Sequence, residues 1–353
     1  MLVKTDGFDP LDRSLVHALQ LDGRAPFSRI AEVLGVSDQT VARRYGRLRG
    51  AGMIKVMGLT DPTSLGEIEW IVRVQCTPDA AVAVAEALAR RPDTSWVSLM
   101  SGGTEIGVVC RSASSRDSDA LLLQKLPRTP SVVGVTAHCM VHEFFGGPLG
   151  LVNKSGALTE EQAAQLRHPA SAAADARAAA PPGQTVPVTL TDADRRLLDV
   201  LAEDGRAALG DLAAATGWSQ TTVRRRLSEL RADGVLYYDV DYDARHFGLG
   251  VMVSLWLSVA PGELAATGAA LARHPEVAFA CATTGPHNLF ASVLCPDVRA
   301  LYTYLTTRIA ALPAVQNMET APLIRRLKGP GPHGYGRAGT GPITSAPAPA
   351  RGR

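Results

Sequence analysis

The sequence predicts an α+β protein that carries the same two units twice. Three observations predict it: a gapless internal repeat, three short helices around a glycine turn in each repeat, and an alternation of strands and helices after it. Residues 12–52 align with residues 194–234 at a constant shift of 182, with 18 identities in 41 positions. Composition alone would give roughly one identity in ten. The segment is therefore duplicated.

Length and composition exclude several classes of protein. The chain has 353 residues, which is enough for about two to four domains. Its hydrophobic fraction of 46% and charged fraction of 20% are those of a globular protein. The net charge of +2 gives no basic field over the whole molecule, so a nucleic-acid partner requires local clusters of charge.

The cysteines and the apolar runs indicate the compartment. The five cysteines show no CxxC spacing, which argues against a disulfide framework or a structural zinc site and is typical of a reducing cytoplasm. Acidic residues stand where a signal peptide would need an apolar run. The longest apolar stretch, 248–260, is too short to span a membrane. We expect a cytoplasmic protein without a membrane segment.

The first unit of each repeat has the pattern of a helix-turn-helix. In the first copy, Asp9 marks the start of a helix and Asp22 its end. A second helix is predicted over 27–34, and Gly35 supplies the turn. Ser37 then caps a third helix. The second copy repeats this pattern.

The third helix of each copy has an apolar face and a basic face. Val41, Tyr45 and Leu48 recur at helical spacing and are expected in the core. The candidate DNA-binding residues are Ser37, Gln39, Thr40, Arg43, Arg44 and Arg47 in the first copy, and Ser219, Gln220, Thr221, Thr222, Arg225 and Arg226 in the second. Each helix has four arginines against one acid, as expected of a helix that enters a major groove. One such helix is more often a solvated face, but its repetition favours binding to double-stranded DNA.

The two copies also differ. Arg47 is matched by Glu229, and Gln39 by Thr221, so two bound copies would contact different half-sites. Residues 1–62 hold nine basic and seven acidic residues, whereas residues 188–248 hold eight and eleven. We expect weaker DNA binding by the second copy, because non-specific affinity comes mostly from phosphate neutralisation.

The sequence LDRSLVHALQLDGRAPFSRIAEVLGVSDQTVARRYGRLRGAGMIKVM resembles the N-terminal domain of the Lrp/AsnC (feast/famine) transcription regulators. The shared features are the acid-Arg opening, the Asp-Gly-Arg turn, the Gly-(Val/Trp)-Ser turn and the Arg-Leu-x-x-x-Gly close. The resemblance covers about 9–145 and 190–327. It implies two winged helix-turn-helix domains and a DNA-binding transcription regulator. Members of this family usually carry one such unit, whereas this chain carries two.

The second unit of each copy has the order βαββαβ, which predicts a ferredoxin-like sandwich. The predicted elements are 69–76, 79–91, 94–101, 105–111, 118–126 and 132–145, and then 250–259, 262–273, 277–283, 289–295, 298–311 and 315–327. The resemblance implies RAM-type domains that dimerise through the open sheet face and bind small effectors, often amino acids. Because both copies lie in one chain, we expect an intramolecular pseudo-dimer. The sequence leaves open whether such pseudo-dimers assemble into larger homo-oligomers.

The hairpin loops of these units are candidate effector sites. They offer hydroxyls, a carboxylate and backbone N–H groups that suit an amino acid, although tight turns would have the same composition. The candidates are Ser101, Gly102, Gly103, Thr104 and Glu105 in the first copy, and Thr283, Thr284, Gly285, His287 and Asn288 in the second.

The domain boundaries follow from these patterns. The predicted helix-turn-helix domains are 1–62 and 188–248, and the ferredoxin-like domains are 63–152 and 249–328. Residues 153–187 are rich in Ala and end in Pro and Gly, which predicts a flexible linker with a short helix near 159–167. Residues 329–353, rich in Gly, Pro and Ala, predict a disordered tail.

No catalytic motif, cofactor site or metal site is predicted, and we expect no enzyme. His138 and His142 are predicted to share one face of a strand, where packing is a more common role than metal binding. A second hypothesis is a decarboxylase of haem biosynthesis, because some proteins with this duplicated pattern act there; His138, His142 and His287 would then be recruited. A third is a ligand-binding module that has lost DNA binding in its second copy.

Overall fold

The computed structural model describes residues 7–112, 126, 128–169 and 187–331. The elements of the first copy are α1 (Pro10–Leu21), α2 (Phe27–Leu34), α3 (Asp38–Gly50), β1 (Ile54–Thr60), β2 (Ile68–Cys76), α4 (Ala81–Ala89), β3 (Thr94–Met100), β4 (Glu105–Ser112), β5 (Val132–Phe145) and α5 (Glu160–Leu166). Those of the second copy are α6 (Asp192–Glu203), α7 (Leu209–Thr216), α8 (Gln220–Ala232), β6 (Leu236–Tyr242), β7 (Val251–Val259), α9 (Leu264–Ala272), β8 (Val277–Thr283), β9 (Leu289–Cys295), α10 (Val298–Tyr304) and β10 (Val315–Arg326).

Local sequence signals account for the two helix-turn-helix units. The Asp9 side chain accepts a hydrogen bond from the backbone N–H of Asp12 and so caps α1, with Pro at the first helical position. Gly35 ends α2 with a φ of 67°, a left-handed conformation that favours glycine. Ser37 caps α3. Gly217 and Ser219 play the same parts in the second copy, so both turns form for the same local reasons.

The wing strands of the two units pair with each other. β1 and β6 form a two-stranded antiparallel ribbon in which Met57 is opposite Asp239. Each helix-turn-helix unit therefore contributes one strand to a joint ribbon, and the two units are held together within the chain.

The ferredoxin-like units join into one closed barrel of eight strands in the order β10-β3-β4-β2-β5-β8-β9-β7. The two longest strands close it by crossing from one copy to the other. β5 pairs with β2 of its own copy up to Cys139 and then with β8 of the other copy from Met140 onward. β10 pairs with β7 of its own copy up to Pro322 and then with β3 from Leu323 onward. This reciprocal exchange gives the intramolecular pseudo-dimer expected from the sequence.

A lysine beyond each long strand contacts the other copy. Lys154 Nζ donates hydrogen bonds to the backbone carbonyls of His274 (3.0 Å), in the turn before β8, and of Val277 (2.7 Å), the first residue of β8. Lys328 Nζ donates one to the carbonyl of Arg91 (2.5 Å) in the equivalent turn before β3. Burial lowers the pKa of both lysines to about 8. These two contacts fasten each half of the barrel to the segment that follows the other half.

Two predicted boundaries need correction. The linker predicted from residue 153 is folded as far as residue 169: Leu158 and Leu166 are buried in the core of the first helix-turn-helix unit, and Thr159 and Gln162 form a capping box at the start of α5. Apolar residues at helical spacing explain this packing, which the Ala-rich composition further along concealed. The rest of the predicted linker, 170–186, lies outside the described residues.

The predicted tail also begins later than expected. Residues 329–331 are buried, and the Gly329 carbonyl accepts a hydrogen bond from the backbone N–H of Trp96 (2.9 Å). Residues 332–353, and most of the helix predicted over 118–126, lie outside the described residues. In the part of the chain that the structure describes, no helix has the length and apolar character needed to cross a membrane.

Candidate functional site

The third helices, α3 and α8, place their predicted apolar and polar residues on opposite faces. The apolar residues Val41, Tyr45, Leu48, Val223, Leu227 and Leu230 are buried. The exposed candidates are Ser37, Gln39, Arg43, Arg47, Ser219, Gln220, Thr221 and Arg225. The half-buried candidates are Thr40, Arg44, Thr222 and Arg226. Both helices therefore offer a polar, arginine-bearing surface to a partner.

The capping serines have a structural part in this surface. Ser37 Oγ accepts a hydrogen bond from the backbone N–H of Thr40 and lies 2.9 Å from its hydroxyl. Ser219 and Thr222 repeat both contacts, with 2.9 Å between the hydroxyl oxygens. These four hydroxyls thus hold the first turn of each third helix, which is the end expected to approach the bases.

The second arginine of each Arg-Arg pair is bound inside its own unit. Arg44 donates to Asp12 Oδ1 at 2.8 Å and to Asp9 Oδ2 at 2.5 Å. Arg226 Nε and Nη2 donate to the two oxygens of Asp194 at 2.6 and 3.1 Å. Asp12 is 3% exposed and Asp194 1%, so each buried carboxylate needs this cation as its partner. Arg44 and Arg226 therefore hold the first helix against the third.

The other arginines of the surface face solvent. Among the described residues no side chain pairs with Arg43. Arg47 donates to Asp12 at 2.7 Å, and Arg225 lies 3.4 Å from Glu229. The Arg225–Glu229 pair is exposed on both sides and stabilises by about 0–1 kcal/mol, so Arg225 can leave it for a phosphate or a base. The Arg47 side chain is itself exposed, and the buried Asp12 keeps Arg44 as its partner if Arg47 leaves. Arg43, Arg47 and Arg225 are therefore the exposed arginines among the candidate DNA-binding residues.

The Asp-Gly-Arg turn, which is identical in both copies, joins the two helix-turn-helix units. Arg24 donates to the carbonyls of Gly205 (2.8 Å) and Ala207 (2.9 Å) in the other copy. Arg206 donates to the carbonyls of Gly23 (2.7 Å) and Ala25 (3.1 Å) in return. The pattern alone indicated only the end of a helix. The identity of all three residues in both copies was the signal that this turn has a further role.

The same turn carries a second reciprocal pair and a close approach. Arg49 donates to Asp204 at 2.7 Å, and the equivalent Arg231 donates to Asp22 at 3.2 Å. A Cβ at Gly205 would lie 2.8 Å from the backbone carbon of Met57, so only glycine fits there. The acid, the glycine and the arginine of the turn are each required by the contact between the copies.

The predicted effector loop of the first copy lies beside a buried ion pair. Glu105 is buried, accepts from Arg73 at 2.5 Å and from the Ser101 hydroxyl at 2.8 Å. Thr104 donates to the Ser101 carbonyl, and Gly102 and Gly103 both have positive φ. The carboxylate expected to hold an effector ammonium is thus already bound to a guanidinium.

The predicted loop of the second copy is bound to the long strand of the first. Thr284 exchanges two hydrogen bonds of 2.9 Å with the backbone of Cys139. The Asn288 amide makes two bonds to the backbone of Val259 (2.8 Å each), and Thr283 donates to the His287 carbonyl. At Gly285 a Cβ would lie 2.6 Å from the His138 ring. These groups hold the loop in place.

Pattern reasoning missed a buried cluster where the two halves of the barrel meet. Arg73 and Trp256 occupy equivalent positions of the repeat, and the guanidinium lies 5.2 Å from the indole ring. Arg73 also forms a bidentate pair with Glu319 of the second copy, which lowers the pKa of that carboxyl. The contact needs an arginine from one copy and a tryptophan at the equivalent position of the other, so it favours pairing of two unlike copies. No local pattern signals it.

The two histidines of β5 do not form one site. His138 is buried, with Nδ1 2.8 Å from the Thr284 carbonyl oxygen and its ring 4.7 Å from that of Trp256. His142 is exposed and packs edge-on against Phe144. The prediction that they share a face is wrong, because the strand pairing shifts register between Met140 and His142. Within the described ranges, no cluster of three or more possible metal ligands is found.

Comparison with known proteins agrees with this architecture. The AsnC-type helix-turn-helix domain matches residues 8–49 and 190–231, and the Lrp/AsnC ligand binding domain matches residues 252–332. An uncharacterized HTH-type transcriptional regulator of Pyrococcus furiosus is 32% identical over 126 residues, which are 35% of this chain and 85% of that protein. The chain belongs to the Lrp/AsnC family. This confirms the resemblance and the fold class expected from the sequence.

Other relatives cover one repeat or both. The regulatory protein AsnC of Escherichia coli K12 is 28% identical over 143 residues, which are 38% of this Lrp/AsnC chain and 93% of AsnC. The solved structure of the siroheme decarboxylase NirDL covers 91% of this chain and 93% of its own, with a TM-score of 0.58 and 16% identity. That likeness shows that the two share a fold with both repeats in place.

Proposed function

We propose that this Lrp/AsnC protein is a sequence-specific transcription regulator that binds one DNA duplex with both helix-turn-helix units. The observation that carries the proposal is the reciprocal Asp-Gly-Arg contact, in which Arg24 and Arg206 bind each other's turns. It holds two basic third helices in one body. Helix-turn-helix proteins that act as dimers place such helices in successive major grooves about one helical turn, or a multiple of it, apart.

Arg43 and Arg225 test this role, since both are exposed and occupy equivalent positions of the two helices. We expect Arg43→Ala or Arg225→Ala to weaken binding to a selected operator by roughly 1–3 kcal/mol if the residue contacts a base. Titration of a labelled duplex at fixed salt measures it. Unchanged affinity in both variants would show that these helices do not enter the groove.

We further propose that the barrel binds a small effector, such as an amino acid, and so changes the affinity for DNA. The match of the second copy to a ligand binding domain supports this. The loop at Ser101–Glu105 is the better candidate of the two. In the second loop, Thr284 and Asn288 already form hydrogen bonds with the backbone of Cys139 and Val259. An effector ammonium would compete with Arg73 for Glu105. Genome-wide capture of bound DNA, with and without amino acids, tests both proposals.

A second candidate function is that of a tetrapyrrole decarboxylase, which the NirDL likeness favours because it spans both repeats. The positions of the two histidines of β5 argue against this function because they do not face one common site. His138 is buried between a carbonyl and an indole ring, whereas His142 is exposed to solvent. We therefore assign no catalytic role to them. Titration with an iron tetrapyrrole distinguishes the two functions, since a decarboxylase would bind it with a shifted absorption spectrum and a DNA-binding regulator would not.

A further inference from the structure

The polar faces of the two third helices, α3 and α8, carry opposite charges at one equivalent position. Arg47 of α3 corresponds to Glu229 of α8, a difference of two charge units. Each third helix still holds four arginines and one acid. The helices therefore differ in how charge is placed and not in how much there is.

Glu229 acts on the arginines of its own helix. Its Oε2 accepts a hydrogen bond from Arg226 at 3.1 Å, and its Oε1 lies 3.4 Å from Arg225 Nε. In the first copy, Arg47 instead donates to the buried Asp12 and adds its charge beside Arg44. On the first copy the patch holds three arginines (Arg43, Arg44 and Arg47) against Asp9 and Asp12, and on the second it holds Arg225 and Arg226 against Asp194 and Glu229. The patch on α3 is therefore the more positive of the two.

The geometry decides how Glu229 acts. The Arg225 side chain is 74% exposed and that of Glu229 is 43% exposed, so water weakens their pair and it does not lock the arginine. The carboxylate itself, however, stays on the face that would meet the DNA backbone. A negative charge there repels phosphates and cancels one of the cations that would displace counterions.

We propose that Glu229 makes α8 the weaker of two unequal DNA-binding helices, so that the chain binds an asymmetric site in one orientation. This rests on the proposed function and adds the residue that sets the asymmetry. The exposed Arg224, where the first copy has Ala42, keeps a cation on α8 but on a different side of the helix. The second helix therefore still binds DNA, with fewer phosphate contacts on the face that carries Glu229.

The substitutions that test it leave the fold in place. Glu229→Gln keeps the size of the side chain, and Arg226 retains its two bonds to Asp194. Glu229→Arg introduces the residue of the first copy, and Arg47→Gln is its matched counterpart. Glu86→Gln, on the exposed face of α4 in the barrel, removes the same charge away from both third helices.

The experiment uses the full chain and a duplex that the wild-type protein has selected from genomic fragments. Affinity is measured over a range of salt concentrations for each variant. We expect Glu229→Gln to bind about fivefold more tightly at low salt, the factor for unit charges about 4 Å apart in water. Glu229→Arg, which removes an anion and adds a cation, should steepen the salt dependence by about 1.8, and Arg47→Gln should flatten it by about 0.9. Glu86→Gln should match the wild type.

Ethylation of single phosphates locates the effect on the DNA. The wild-type protein should show more interfering phosphates in one half of the site than in the other, and Glu229→Arg should add positions in the weaker half. If the wild type binds DNA but the Glu229 variants change neither affinity nor this pattern, the inference is wrong and the proposed function stands. If the wild type binds no duplex even at low salt, both the inference about Glu229 and the proposed function are wrong.

Discussion

At the scale of single residues, an arginine that the sequence predicts to bind DNA can instead have a structural role in the fold. The Arg-Arg pairs of the two third helices look alike along the sequence, yet Arg44 and Arg226 are each bound to a buried aspartate while Arg43 and Arg225 are exposed. Helical periodicity predicted which face is polar. It did not show the partner on α1 or α6, because that partner is about 30 residues away along the chain.

Asp194→Asn tests the structural role of this pair. The amide cannot balance the charge of Arg226, and we expect the free energy of unfolding to fall by about 2 kcal/mol, the scale of hydrogen bonds to charged groups. Denaturant unfolding followed by circular dichroism measures it. Asp199→Asn, also on α6 but with its carboxylate directed to solvent, is the control and should change stability by less than about 0.5 kcal/mol. Equal effects of the two would contradict the pairing.

Asp239 makes a pH-dependent contribution at the ribbon. Burial raises its pKa to about 6 from a normal value of 3.8, although the Gln20 amide donates to it at 3.0 Å. The folded protein thus holds this proton more tightly than the unfolded chain does, and stability falls as the pH rises from about 4 through 6. Asp239→Asn keeps the acceptor oxygen and cannot ionise. Its melting temperature should exceed that of the wild type at pH 7.5 and come closer to it at pH 4.5; a constant difference would count against the raised pKa.

At the scale of elements, the bounds of several strands and helices agree with the sequence pattern. Both ends of α2, β5, β8 and β9 lie at the predicted residues, because turn residues and alternation mark them locally. The exchange of β5 and β10 between the copies was not predictable in detail. Each of these strands has a register shift just beyond the residue at which it changes partner, such as the one between Leu323 and Arg325, and no local pattern marks such a shift.

The Asp-Gly-Arg turn has a role that can be separated from DNA contact. Arg206→Ala removes two hydrogen bonds to the first copy, and the rings of Phe27 and Tyr45 lose the guanidinium that lies over them. We expect a loss of about 2 kcal/mol in the free energy of unfolding. Operator affinity should fall as well, although Arg206 is not among the arginines of the third helices. A variant that loses stability but keeps full affinity would show that this turn does not set the spacing of the helices.

The buried Lys328 should contribute to the stability of the barrel. In Lys328→Met the carbonyl of Arg91 loses its donor, and we expect a loss of about 1–3 kcal/mol. Lys55→Met, which removes an exposed ion pair with Glu203, is the control and should cost no more than about 1 kcal/mol. Thermal melts of both variants at pH 7 make the comparison. Similar losses in the two variants would mean that the Lys328 contact stabilises the protein no more than an exposed ion pair does.

At the scale of the whole molecule, duplication has allowed the two copies to become different. The repeat predicted a pseudo-dimer, and the ribbon and barrel both form across the copies. The sequence showed that Glu229 stands where the first copy has Arg47, but it could not show that Glu229 contacts Arg225 and Arg226 or that Arg73 meets Trp256. Both differences are ones that a symmetric homodimer of single units cannot have.

The central claim is that one chain binds one duplex through two linked third helices. Hydroxyl-radical footprinting of the wild-type protein on a selected genomic fragment tests it most directly. We predict two protected patches on the same face of the duplex, separated by about one helical turn or a multiple of it. Either a single protected patch, or no protection of any fragment at low salt, would contradict the claim.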